Sequence, residues 1–267
     1  MRTPLQGQPL VDDLARPWIG LTLVTHSPST NADLVRAATS GAAPPWTVLV
    51  AERQSAGRGR LGRTWSTEPG VALTFSALVP APAEPGWLAL VTGLALAEAI
   101  EEVYAVRPAL KWPNDLLAPV GSSAAGRKLA GILCELTSTP GAGRGVVIGI
   151  GLNVDHVVEE LPVPTATSLR EVAGGHPPGL TRESLLLTLL NHVSTRVQDW
   201  GRDPDPVREA YRLSCSTLGQ QIRVDLGPEG VQTGTAVRID DDGRLVVDVG
   251  GTIRALAAGD VTHVRPV

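Results

Sequence analysis

The sequence predicts an α+β protein, a mixed-sheet domain followed by a small β-barrel. Three observations carry this. Over residues 18–217, short apolar segments bounded by Gly or Pro alternate irregularly with helical stretches. From about Leu218 the pattern changes to short alternating segments, QQIRVDL, GTAVRIDDDGRLVVDVG and TIRALAAGDVTHV, with Asp242-Gly243 as a hairpin signal. At 267 residues the chain is long enough for one large domain plus a small module with a full core.

Residues 1–17 are polar and punctuated by proline, and read as a tail. Trp18–Thr25 is strand-like. Thr30 and Asp33 have capping-box spacing ahead of the helical face Leu34, Val35, Ala38. Trp46–Ala51 and Val71–Val79 read as strands around an Arg/Gly loop at Gln54–Trp65. Trp87–Tyr104 is a long Ala/Leu-rich helix, and Ala109–Trp112 runs into a Pro-Asn-Asp turn. Lys128–Leu136 and Gly145–Asn153 are short, apolar and Gly-bounded, as buried strands are. Arg182–Trp200 and Pro206–Cys215 read as helices, and residues 218–267 as the barrel.

Composition excludes several classes. The net charge of −4 argues against a dedicated nucleic-acid binder. Two distant cysteines, Cys134 and Cys215, make no disulfide framework and suit a reducing compartment. The N-terminus has no apolar signal-peptide core, and the longest apolar stretch, Trp87–Ile100, contains Glu98 and is too short for a membrane span. The expectation is a cytoplasmic protein with no DNA or membrane partner. Only two of the 23 basic residues are lysine, Lys111 and Lys128. In an Arg-biased composition a retained ammonium is informative, because it is compact and able to lose its proton.

Both lysines head compact motifs. In Lys111-Trp112-Pro113-Asn114-Asp115, Pro113 forces a turn that leaves Asn114 and Asp115 at its tip, able to reach a metal or phosphate. In Lys128-Leu129-Ala130-Gly131-Ile132-Leu133, alternation places Lys128, Ala130 and Ile132 on one face, with Lys128 at the mouth of an apolar strand. Gly57-Arg58-Gly59-Arg60-Leu61-Gly62-Arg63 matches the dinucleotide pattern G-x-G-x-x-G but leads into TWSTEPG, which cannot open a long helix. Read physically, it sets three guanidiniums, groups that bind carboxylates and phosphates, among three glycines that permit close backbone approach. Trp65 lies two residues on and is placed to cover an apolar ligand. Gly149-Ile150-Gly151-Leu152-Asn153 ends a strand with small residues and an amide. Cys134 has an apolar flank and reads as structural rather than nucleophilic, and the five histidines show no ligand spacing.

Taken together and in order, Ser29-Thr30-Asn31, Gln54 with GRGRLGR, KWPND, RKLAGIL and GIGLN resemble the biotin protein ligases (biotin–[acetyl-CoA-carboxylase] ligases) over residues 29–153. The tail is similar to that family's small SH3-like C-terminal domain. The resemblance implies the biotin/lipoate ligase type of catalytic domain. It implies that biotin and ATP form biotinyl-5′-AMP, and that biotin then passes to one lysine of a biotin carboxyl carrier protein or domain of acetyl-CoA or acyl-CoA carboxylase. By position it assigns Ser29, Thr30, Asn31, Gln54, Gly57, Arg58, Gly59, Arg60, Lys128 and Gly131 to biotin. Arg60, Arg63, Trp65, Lys111, Asn114, Lys128 and Asn153 fall on the ATP side. The catalytic set is Lys128, Arg60 and Asp115, with Asp115 also a Mg²⁺ ligand. Some members stack adenine on a Trp, but Pro162–Leu169 contains none, Ala166 standing nearest, which leaves Trp65. Motifs that begin at Ser29 leave no room for the DNA-binding domain of bifunctional members, so a monofunctional form is expected.

The residue types suit that chemistry. A carboxylate attacking an α-phosphate brings two anions together, and Arg60 and Lys128 offset the repulsion. The acceptor amine must be neutral, which at a pKa of ~10.4 costs roughly 4 kcal/mol near neutral pH. Asp115 is a carboxylate able to take its proton. The alternatives are a lipoate or octanoate ligase on the same fold, and a non-catalytic biotin-binding regulator.

Overall fold

The computed structural model describes residues 2–225, 230–257 and 260–263. Its main sheet has the order β1-β2-β4-β8-β7-β6-β5, with a short β3 paired to β2. These are β1 (Gly20–Ser27), β2 (Thr47–Arg58), β3 (Thr64–Thr67), β4 (Ala72–Pro80), β5 (Ala109–Lys111), β6 (Asp115–Leu117), β7 (Lys128–Thr139) and β8 (Gly143–Asn153). Only the β1–β2 pair is parallel, so the sheet is mixed as expected.

One face of the sheet is covered by α3 (Leu88–Tyr104), α5 (Arg182–Arg202) and α6 (Pro204–Ser214). α3 is apolar nearly all round because it lies between the sheet and α5, which is why it reads as one long apolar run. No helix among the described residues is long and apolar enough to cross a membrane. On the other face α2 (Thr30–Thr39) sets Leu34 and Ala38 against Leu78 and Val147, covering part of β4 and β8 and leaving the rest as an open cleft. A short α4 (Leu169–Ala173) follows β8.

Three sequence expectations change. The predicted tail carries α1 (Gly7–Asp12) and packs Leu5 and Leu10 into the core, the polarity of its other residues having hidden two buried leucines. The Arg/Gly loop is mostly strand: β2 runs on to Arg58 and pairs with β3, with a single 3-10 turn at Arg60–Gly62 between them. α2 is capped by Ser29, not Thr30, because the Thr30 N–H and hydroxyl are both donated to Gln54 Oε1, at 2.9 and 3.2 Å. Asp33 instead accepts from the Ser27 hydroxyl.

The second sheet is antiparallel, in the order β12-β11-β10-β9-β13, built from β9 (Gln221–Asp225), β10 (Val231–Ile239), β11 (Leu245–Val249), β12 (Thr252–Leu256) and β13 (Asp260–His263). It forms the small C-terminal module, whose end strands are not paired with each other among the described residues. The last residues of the expected barrel, 264–267, lie outside the described residues. Its Asp242-Gly243 turn joins β10 to β11 and docks on the large domain. Trp112 Nε1 donates to Gly243 O at 3.0 Å and Trp87 Nε1 to Asp241 O at 2.7 Å.

The N-terminal segment is clamped to the base of the β2–β3 hairpin by Glu52. This buried carboxylate accepts from the Leu5 and Gly70 N–H groups and from both terminal nitrogens of Arg182. Burial alone would raise the Glu52 carboxyl, but the hydrogen bonds from Arg182 and the Leu5 N–H outweigh it and hold it below its ordinary 4.5. A depressed carboxyl stabilises the fold above its unfolded pKa, and that contribution disappears as pH falls through the folded value. Arg182→Ala is therefore expected to cost about 3–5 kcal/mol in urea unfolding at pH 7, with the gap to wild type narrowing as the pH is lowered and Glu52 becomes protonated. A constant gap down to low pH would contradict this.

Candidate functional site

Strand register builds the floor of the cleft. Thr74, Gly151, Gly131, Asp115 and Lys111 are Cα partners in succession across β4, β8, β7, β6 and β5. The neighbouring row on the same face is Ser76, Gly149 and Leu133. Three motifs far apart in sequence thus meet in one line.

Lys128 stands over that line. Its Nζ donates to Asp115 Oδ1 at 2.6 Å and lies 5.8 Å from the Trp65 ring centroid. The strict alternation expected for β7 fails, because Leu129 is bulged out between the pairs Leu116–Ala130 and Leu117–Lys128. The bulge turns Lys128 to the side of Gly131, whose missing Cβ would stand 3.1 Å from Lys128 Nζ, and leaves Ala130 and Ile132 to the core. Asp115 is likewise not at a turn tip but is the first residue of β6. Asn114 secures the turn, donating from Nδ2 to Ile132 O at 2.7 Å and accepting the Ile132 N–H at its own carbonyl.

The β2–β3 hairpin overhangs the floor and presents Arg58, Gly59, Arg60, Arg63 and Trp65 to it. The Trp65 indole lies against Gly151, where a Cβ would come within 2.3 Å of it, so the second glycine of GIGLN is the space the ring fills. The indole Nε1 is buried with no hydrogen-bond partner among the described residues. Gly57 passes so close to the Gln54 amide and Trp65 carbonyl that no Cβ fits.

The far end has a wall of uncharged polar side chains, with the Glu135 carboxylate behind it. Gln54 Nε2 donates to Trp65 O at 3.3 Å while Oε1 takes both donors of Thr30. Ser76 Oγ donates within reach of Thr30 Oγ1 and Asn31 Oδ1, at 2.8 and 2.6 Å. Asn31 Nδ2 donates to Leu133 O and Glu135 Oε2. Gly149 makes room for this: a Cβ there would stand 2.1 Å from Asn31 Oδ1. Gly149→Ala is expected to dislodge Asn31 and cost about 1–3 kcal/mol by thermal unfolding; an unchanged melting temperature would show the network to be slack.

Among the described residues, five cationic side chains, Arg58, Arg60, Arg63, Lys111 and Lys128, and one carboxylate, Asp115, line the cleft. Such an excess suits a ligand with more than one negative charge. Asn153 is not brought to this cleft; it is buried and donates from Nδ2 to Thr167 O at 3.0 Å. The 163–168 segment instead lies along the start of β7, with Lys128 N–H donated to Thr165 O and Thr167 N–H to Lys128 O. Glu135, Ser76 and Thr74 belong to the site's framework and carry no motif signal, since only strand register puts them there. Cys134, at the back of β7, has its thiol pushed up to about 12 by burial, with the Glu135 charge adding to it, and is no thiolate at neutral pH. No group of three metal-liganding side chains occurs among the described residues.

Residues 24–153 match the model of the biotin/lipoate A/B protein ligase family, and residues 217–264 that of the biotin protein ligase C-terminal domain. The chain is 39% identical to the biotin–[acetyl-CoA-carboxylase] ligase of Mycobacterium tuberculosis over 99% of its own length and 98% of that protein. It is 30% identical to the bifunctional ligase/repressor BirA of Bacillus subtilis, of which it spans 66%. The structure superposes on Aquifex aeolicus biotin protein ligase in complex with biotin and ATP with a TM-score of 0.76 at 28% identity, covering 93% of this chain and 100% of that one. This near full-length likeness, together with the fold and the order of motifs in the cleft, shows that the chain belongs to the biotin protein ligase family.

Proposed function

We propose that this chain is a biotin–[acetyl-CoA-carboxylase] ligase that activates biotin with ATP and transfers it to a lysine of a biotin carboxyl carrier protein. The observation that carries this is a cleft lined by five cations and one carboxylate that also has an internally bonded wall of uncharged side chains, Thr30, Asn31, Gln54 and Ser76. A neutral head group with an acidic tail fits that polarity, with the tail meeting a triphosphate among the cations.

In the first step a biotin carboxylate oxygen attacks the α-phosphorus of ATP and the bond to pyrophosphate breaks. Lys128 and Arg60 offset the charge gathered at that phosphorus, and Arg63 and Lys111 attract the leaving phosphates. Ser29, Thr30, Asn31 and Gln54 form the head-group end, with Arg58, Gly57 and Gly59 in the hairpin above it and Gly131 in the floor. Trp65, with its unpartnered N–H, covers the acyl-phosphate region, and Asn114 holds the turn that carries Asp115. Asn153 acts on the nucleotide only through the Thr167 segment. In the second step the acceptor amine attacks the acyl carbon, AMP leaves, and Asp115 takes the amine proton. Mg²⁺ in this cleft would be held chiefly by the triphosphate, with Asp115 as the single protein carboxylate, and would supply charge neutralisation to the departing pyrophosphate.

The test is transfer of labelled biotin to a purified carrier domain in the presence of ATP and Mg²⁺. Labelling of the carrier lysine is expected, and no labelling of a carrier known to be competent would reject the proposal. A parallel pyrophosphate-release assay with lipoate and octanoate separates the related ligase activity.

A further inference from the structure

We propose that Glu135 is a positioning residue for the head-group end of the cleft, holding the Arg58 guanidinium and the Asn31 amide in a single arrangement. This rests on the assignment of that end to biotin. Glu135 lies on β7, on the same strand face as Leu133 and one step beyond the floor, and does not itself line the cleft. Its two oxygens serve two different elements. Oε1 accepts from Arg58 Nη2 at 2.9 Å, at the end of β2, and Oε2 accepts from Asn31 Nδ2 at 2.8 Å, at the start of α2.

Each contact removes a freedom that the local sequence leaves open. Arg58 stands between Gly57 and Gly59, and its side chain is 55% exposed against 27% for Glu135. Strand pairing with Thr64 holds the backbone of Arg58, but so exposed a side chain needs a tether to stay over the cleft, and Glu135 provides one while other N–H groups of the fork remain for a ligand. Asn31 has a two-way choice of amide orientation. A carboxylate accepts and never donates, so Glu135, together with the Leu133 carbonyl that takes the same amide at 3.1 Å, selects the orientation with Nδ2 toward β7. That turns Oδ1 to the Ser76 hydroxyl, 2.6 Å away, and Ser76 in turn reaches Thr30, which bonds Gln54. One carboxylate therefore links the cationic arm to the polar wall.

The test uses Glu135→Gln, which keeps the shape and removes the charge. Hydrogen exchange of amides 57–63 in the ligand-free protein is expected to quicken about three- to fivefold, the scale of a partly exposed ion pair. The KM for biotin in pyrophosphate release is expected to rise by a similar factor with kcat little changed, the pattern of lost uniform binding. Added to Arg58→Ala, the same change is expected to do less than it does to the wild type, because part of its action runs through Arg58. Unchanged exchange, a fall in kcat without a change in KM, or full additivity would overturn the role of Glu135. Wild-type protein that shows no response to biotin would instead overturn the assignment of the cleft, and the ligand-free exchange would still decide whether Glu135 tethers the hairpin.

Discussion

Lys128→Arg is expected to fold normally and to lower biotinyl-adenylate formation by about 10²- to 10³-fold, the cost of losing one preorganised charge at the developing anion. The substitution keeps the charge, so the expected failure is geometric. The Lys128 ammonium fits between the Asp115 carboxylate at 2.6 Å, the Trp65 ring at 5.8 Å and the Cα of Gly131, where even a Cβ would be 3.1 Å away. A planar guanidinium is wider and distributes its charge over a fork, so it reaches Asp115 only by displacing Trp65 or leaving the phosphate. Lys128→Ala removes the charge as well and is expected to lose at least as much. Pyrophosphate release measures the rate, and circular dichroism checks the fold. Near-wild-type turnover in the Arg variant would reduce Lys128 to a general positive charge.

Asp115→Asn separates the two steps. Asn is isosteric with Asp, so the β5–β6 turn and the register with Gly131 are expected to survive. It is a much poorer proton acceptor. In single-turnover transfer from preformed biotinyl-5′-AMP to the carrier, the rate is expected to fall about 10²- to 10⁴-fold, the usual contribution of a general base. Adenylation depends on Asp115 through its hydrogen bond to Lys128 and as a minor partner of a Mg²⁺ held chiefly by the triphosphate, and is expected to fall by less. Equal losses in both steps would show that Asp115 is not the proton acceptor of the transfer step.

Local signals were legible where one stretch of chain sufficed. α3, α5 and the strands β4, β7 and β8 announce themselves by apolar length and Gly boundaries, and the Asp242-Gly243 turn by its hairpin chemistry. The errors fall where a distant partner decides. The N-terminal segment looks polar until Leu5 and Leu10 meet a core built from residues much later in the chain. Thr30 has the right spacing for a cap, yet Gln54, 24 residues on, takes its donors. The face of Lys128 is set by a bulge opposite β6, which no alternation within β7 reveals.

By itself, the sequence determined the α+β class, the two-part organisation and the set of chemical groups, two ammoniums and three guanidiniums within three compact motifs. Those follow from residue type and short-range periodicity. The tertiary structure decided how the groups are used. It paired Lys128 with Asp115, buried Asn153 away from the cleft and recruited Glu135 and Ser76. The physical reason is strand register. Hydrogen bonding between strands aligns Thr74, Gly151, Gly131, Asp115 and Lys111 across five separate segments, and that alignment is a property of the pairs, written in none of the strands alone.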